Sequence, residues 1–143
     1  MDIRCRERFI FIFMIINFSC FSQTIDEVYK ELNDQGVKHP DIVLAQSILE
    51  TGWYKCSPCS MDYNNIFGLW NHKKQEYYKF ETWQKSVTGY LNKIQYKYKE
   101  GDYFKFLTDL GYAEDPNYIY KVKKIMEGDL LIKLKHKYGK KTN

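Results

Sequence analysis

The sequence predicts an α+β domain, mainly helical, with one small β-hairpin set into it. Three observations carry that prediction. Apolar residues recur at helical spacing through most of the chain from Thr24 onward. Between Asn64 and Phe80 the helical period gives way to two short apolar and aromatic runs on either side of a polar turn. One segment, Asp41-Ile-Val-Leu-Ala-Gln-Ser-Ile-Leu-Glu50, is apolar on nearly every helical face and so reads as the buried centre of the fold. At 143 residues the chain allows a single domain.

Each element has its own signal. Thr24-Ile-Asp-Glu27 is a capping-box pattern, and Ile25, Val28, Tyr29 and Leu32 follow it at helical spacing up to Gly36. His39-Pro40-Asp41 opens the central helix with proline in its first turn and an acid near the positive end of the dipole; Gly52 stops it. Trp53 to Tyr63 reads as a loop. The Asn64-Asn65 pair suits a turn bound through side-chain amides, Ile66 to Trp70 a short strand, Asn71 to Gln75 a turn, and Glu76 to Phe80 the returning strand. From Thr82, the residues Trp83, Val87, Tyr90, Leu91, Ile94 and Tyr98 predict one long amphipathic helix. Asp102 should cap the next, with Gly111 closing it. Asp115-Pro116 should open the last, whose stripe runs through Ile119, Val122, Met126, Leu130 and Leu134 and is weakened at Gly128.

The segment before Thr24 has a different character. Arg4, Arg6 and Arg8 precede an apolar run from Phe9 to Phe18, too short for a comfortable membrane span. Small residues follow in Ser-Cys-Phe-Ser, so residues 1–22 are expected to be a signal peptide cleaved near Ser22-Gln23, leaving 23–143 as the domain and no stable membrane span. A lipid anchor on Cys20 competes, but Asn17 stands where an aliphatic residue would be needed. An exported chain favours a local disulfide between Cys56 and Cys59 in Cys-Ser-Pro-Cys, with two free thiols as the other reading. Zinc is disfavoured, because His39, His72 and His136 lack ligand spacing.

Composition narrows the function. Aromatic residues make up 17% of the chain, with 13 Tyr, 9 Phe and 3 Trp. Their flat faces and polar tips fill cores, and any surplus often lines a groove for sugars or bases. The formal charge is only +4, and the lysines that gather between Lys121 and Lys141 are explained by a solvated helix face, so no nucleic-acid partner is expected. There is no internal repeat, P-loop or dinucleotide-binding glycine pattern, and no metal or cofactor is expected. Glu50 stands out. An unpaired carboxylate at the mouth of an apolar helix is costly to ionise, and desolvation would keep it protonated, as a general acid requires. A solvated position on the last turn is the alternative.

Four motifs in order resemble glycoside hydrolase family 73, the peptidoglycan-cleaving N-acetylglucosaminidases that include the enzymatic domain of flagellar rod-associated hydrolases. They are Ala45-Gln-Ser-Ile-Leu-Glu50-Thr-Gly-Trp53; Asn64-Asn65-Ile-Phe-Gly68; Phe80 with Ser86-Val87 and Tyr90; and Gly111-Tyr-Ala-Glu-Asp-Pro-Asn-Tyr118. The resemblance runs from about residue 24 to residue 126. It implies a lysozyme-like fold with a helical lobe, a small β-hairpin lobe and a sugar cleft between them. It also implies hydrolysis of the β-1,4 bond after N-acetylglucosamine, with a peptidoglycan glycan strand as partner, in a secreted or periplasmic protein, here taken as a monomer.

On that resemblance Glu50 matches the catalytic proton donor and Tyr112 a tyrosine near the cleaved bond. Glycoside hydrolysis usually takes a second carboxylate. The hairpin is shorter here than in many members, and Glu76 is the candidate, with Glu81 behind it; otherwise the substrate's acetamido group would assist. Trp53 and Trp70 are candidate stacking platforms, and Asn64, Asn65 and Tyr118 complete the expected substrate-binding set, although the two asparagines also suit a brace between the lobes. Asp115 reads as a helix cap. A lytic transglycosylase on the same fold, or a wall-binding module without activity, are the competing readings.

Overall fold

The computed structural model describes residues 23–139. The expected signal peptide, its cleavage at Ser22 and the Cys20 anchor lie outside the described residues. The order is α1 (Ile25–Asp34), α2 (Pro40–Glu50), a 3-10 turn (Ser60–Tyr63), β1 (Trp70–Asn71), β2 (Glu76–Tyr77), α3 (Trp83–Lys93), a second 3-10 turn (Gln95–Lys97), α4 (Tyr103–Leu110), α5 (Tyr118–Met126) and α6 (Asp129–Gly139). This is the α+β, mainly helical arrangement that the sequence predicts, with its one two-stranded antiparallel sheet.

The centre is α2, where Ile42 to Ile48 are all buried. A helix apolar on every side must be covered on every side. Accordingly α1 and α5 pack against it, α3 and α6 close over α1, and α6 also touches α5. The capping box of α1 forms: Thr24 Oγ1 accepts from the Glu27 N–H at 3.2 Å, and Glu27 Oε2 accepts from the Thr24 N–H at 2.8 Å. Asp102 caps α4 by accepting from Phe104 N–H, and Gly111 ends that helix in the left-handed region.

Several boundaries differ from the periodicity. The strands shrink to two residues each, in the register Trp70 opposite Tyr77 and Asn71 opposite Glu76. Gly68, at φ +61°, breaks the extended run. The Tyr78 N–H still donates to the Leu69 carbonyl at 3.0 Å, but the buried Asn65 side chain takes the Leu69 N–H and the Tyr78 carbonyl, the two groups that would complete that cross-strand pair. Ile66, Phe67 and Leu69 therefore fill the core from turns.

The long helix expected from Thr82 to Tyr98 stops at Lys93. There the Gln95 amide closes on both backbone groups of Lys38, each at 2.8 Å, and the chain tightens into a 3-10 turn. The last stripe is also interrupted. A break at Glu127-Gly128 advances the phase by one residue, so Leu131 and Leu134 face inward and Leu130 is exposed. Asp115 does not cap α5, which begins two residues later than expected after Asn117. It binds the Asn117 N–H through Oδ1 and the Tyr118 N–H through its carbonyl, organising the turn before the helix.

Candidate active site

Glu50 is the last residue of α2, and the helix leaves it at the edge of the core, partly buried. The backbone beyond it is unusual. Gly52, Trp53 and Tyr54 lie in the left-handed region at φ +53°, +63° and +58°. Two bulky residues hold that conformation only where packing over-determines it. Here Tyr54 supplies the packing: it is buried, its hydroxyl lies 2.6 Å from Ser47 Oγ, and its N–H donates to Thr51 Oγ1. The chain thus turns sharply away from the acid and leaves Trp53 48% exposed beside it. The following loop carries the Cys56–Cys59 disulfide, with Cα atoms 5.9 Å apart.

Burial pushes the Glu50 pKa above the usual carboxylate value, and the neighbouring Tyr118 hydroxyl offsets part of that rise. No basic side chain acts on it among the described residues. The other wall of the acid is Gly68: a Cβ there would sit 2.8 Å from Glu50 Oε2. Glycine is needed twice, for the positive φ and for the room.

Two tyrosines complete the surroundings. Tyr112 donates its hydroxyl proton to the Phe67 carbonyl at 2.9 Å, tying the α4–α5 loop to the turn that lies against Glu50. Its own pKa is driven well up, by burial first and then by the neighbouring Tyr118 and Glu50. Tyr118, at the start of α5, is buried with its ring 5.6 Å from that of Tyr112; burial and the Glu50 charge raise its pKa as well. The result is a carboxyl kept from full hydration, with the Tyr112 and Tyr118 phenols as neighbours and Gly68 against it.

The remaining sequence-predicted residues stand further out. Trp70 is 41% exposed on the hairpin, with the Tyr77 ring edge-on at 5.0 Å. Glu76 faces Asn71 across the sheet, on the strand face opposite Trp70 and Tyr77, and pairs with Lys79 at 3.4 Å. Asn64 holds the Phe80 and Glu81 carbonyls at 3.0 Å each. The Asn65 amide, wholly buried, bonds only backbone. A side chain so enclosed cannot reach a sugar, which corrects its place in the substrate-binding set: Asn65 braces the hairpin.

An apolar helix ending on a shielded acid, facing a hairpin turn of Asn-Asn-Ile-Phe-Gly, is the arrangement that the sequence motifs imply. The glucosaminidase family model, described as mannosyl-glycoprotein endo-beta-N-acetylglucosaminidase, matches residues 25–131. The chain belongs to the glucosaminidase family. That match spans every element from α1 to the start of α6, including Glu50, Gly68, Tyr112 and Tyr118. Its members are endo-β-N-acetylglucosaminidase-type glycoside hydrolases, and the helical body with one hairpin is the lysozyme-like architecture of a glucosaminidase domain. No curated protein matches the chain.

Two contributors to the surroundings of Glu50 escape a reading based on apolar periodicity. Gly68 sits inside a recognised motif, yet its contact with Glu50 depends on how the hairpin root folds back. Gln46 is fully buried within α2 and bonds both Tyr90 and Tyr118. The available signal is its type, a polar residue in an otherwise apolar helix, since a buried amide must find partners.

Proposed function

We propose that the protein hydrolyses the β-1,4 bond after N-acetylglucosamine in peptidoglycan glycan strands, with Glu50 as the general acid. One observation carries the reading: a carboxyl with no basic partner among the described residues, its pKa raised by burial, lies at the rim of the core against a glycine. Such a group enters the reaction protonated. It delivers its proton to the bridging oxygen as the C1–O bond breaks, the bonding pair leaves on that oxygen, and positive charge develops at the anomeric carbon.

Tyr112 is the neighbour best suited to meet that charge. Its proton is engaged by the Phe67 carbonyl, so it offers the sugar oxygen lone pairs. Glu76 is the proposed base for the attacking water, although it faces away from Trp70 and Tyr77. The substrate's own acetamido group is the other source of assistance. Trp53 and Trp70 offer exposed aromatic faces for sugar rings, with Asn64 as a further substrate contact. A wall-directed hydrolase acts outside the cytoplasm, which agrees with the export signal expected at residues 1–22. Among the described residues no helix is long and apolar enough to cross a membrane.

The test is digestion of purified peptidoglycan followed by mass spectrometry of the fragments. The expected products carry reducing N-acetylglucosamine ends, and Glu50→Gln lowers their rate of release by roughly a hundred- to ten-thousandfold while binding to the wall persists. Anhydromuramic ends would instead assign the protein as a lytic transglycosylase. Full activity in Glu50→Gln would remove Glu50 from the mechanism.

A further inference from the structure

The turn after Glu50 is strained, and its hydrogen bonds run back to the C-terminal end of α2. Gly52, Trp53 and Tyr54 are consecutive left-handed residues, a conformation that bulky side chains resist. The Trp53 N–H donates to the Ile48 carbonyl at 2.9 Å, and the Lys55 and Cys56 N–H groups both donate to the Thr51 carbonyl at 3.1 Å. Side chains add two more tethers. Thr51 Oγ1 donates to the Ser47 carbonyl at 2.6 Å and accepts from the Tyr54 N–H at 3.0 Å. Ser47 Oγ has one proton, which goes to the Leu44 carbonyl at 2.8 Å, so across its 2.6 Å contact with Tyr54 the tyrosine hydroxyl is the donor. Ser47 and Thr51 are wholly buried and Tyr54 is buried, yet Trp53, between Thr51 and Tyr54 along the chain, stands 48% exposed.

We propose that Tyr54, locked to Ser47, is a positioning residue for Trp53, and that it holds the indole as a preformed stacking surface for an N-acetylhexosamine ring of the glycan strand. The inference rests on the reading of Trp53 as a sugar platform. Burying Tyr54 does not by itself call for tryptophan before it: glycine at that position would make the same turn without strain and leave no indole in water. Strain of this kind persists where the surrounding structure holds a group ready for use. Thr51 and Tyr54 fix the backbone on both sides of Trp53, so its backbone is ordered on folding rather than on binding. A platform set in advance meets the apolar face of a sugar at a smaller cost in lost freedom. An effect passed through Trp53 belongs to substrate binding and so to KM.

The test combines kinetics on soluble peptidoglycan glycan strands with ¹⁹F NMR of protein labelled with 5-fluorotryptophan. Tyr54→Phe removes only the hydroxyl and leaves the Ser47 proton on the Leu44 carbonyl. It should raise KM roughly threefold or more with kcat little changed. In a Trp53→Ala background the same substitution should add nothing, because its effect passes through the missing ring. In the Glu50→Gln protein, glycan strands should shift the Trp53 resonance, and adding Tyr54→Phe should raise the concentration needed by the same factor. An unchanged KM and an unchanged binding curve in Tyr54→Phe overturn the inference while leaving Trp53 a platform. An equal rise in KM with and without Trp53 overturns it too, since Tyr54 would then act by another route. A Trp53 resonance that bound glycan leaves unmoved sinks the platform reading and the inference with it. A shifted resonance, weakened by Tyr54→Phe, in a protein that cuts no glycan upholds the positioning role and sinks the hydrolase reading instead.

Discussion

Glu50 is a residue the fold holds at a cost to itself. Its pKa is raised by burial, so the native state binds this proton more tightly than the unfolded chain does. The linkage then has a definite sign. The contribution of Glu50 to stability is fully present below its unfolded pKa and is lost as pH rises through the higher folded value. Replacing it with glutamine removes the charge and keeps the shape. Thermal unfolding at neutral pH should therefore show Glu50→Gln as more stable than the parent, with the difference shrinking as pH falls into the ordinary carboxylate range. A variant less stable at neutral pH would mean that the carboxylate is well solvated. Gly68 makes the complementary prediction: Gly68→Ala should lose about 1–2 kcal/mol by chemical denaturation from its positive φ alone. It should also lose activity, because its Cβ would displace the carboxyl. At this scale the acid was legible in the sequence, since an isolated Glu closing an apolar helix is a local anomaly. Gly68 and Gln46 were not, because their partners lie on other elements.

The hairpin shows how far an element can be read from its residues. Alternation and the polar turn mark its presence, but its length depends on Asn65. That side chain makes three hydrogen bonds of 2.9–3.0 Å to the backbone of Leu69 and Tyr78. Asn65→Ala should lose about 2–3 kcal/mol, because the Leu69 N–H and the Tyr78 carbonyl lose their side-chain partners, while the Leu69 carbonyl keeps the Tyr78 N–H. Amide hydrogen exchange should report faster opening of Leu69 and Tyr78 than of α2; uniform exchange across both would contradict the bracing role. The helix breaks at Lys93 and Glu127 were illegible for the same kind of reason. Gln95 is turned by its pairing with Lys38, and the Gly128 break is exploited to rotate Leu131 into the core.

Across the whole molecule, the two lobes meet where the end of α2 faces the hairpin root. The helical lobe holds this meeting point steady by wrapping α2 on several sides. α6 completes the wrap, docking Leu131 and Leu134 and reaching α1 through Lys137 and Tyr138, both bound to Asp26. Exposed ion pairs of this kind contribute little individually, so the apolar contacts hold α6 in place. The sequence revealed this layout well: amphipathic periods identify the shell, an all-apolar segment the centre, and a break in period the inserted hairpin. What it could not reveal is the buried pairing of Gln46 with Tyr90 and Tyr118, whose partners lie on other helices far along the chain.

The pH dependence of kcat/KM on purified glycan strands tests the central claim most directly. Glu50 must be protonated to act, so activity should fall on the alkaline side, with a midpoint above the ordinary range for glutamate because burial raises the group. An alkaline midpoint at or below that ordinary range would contradict the account.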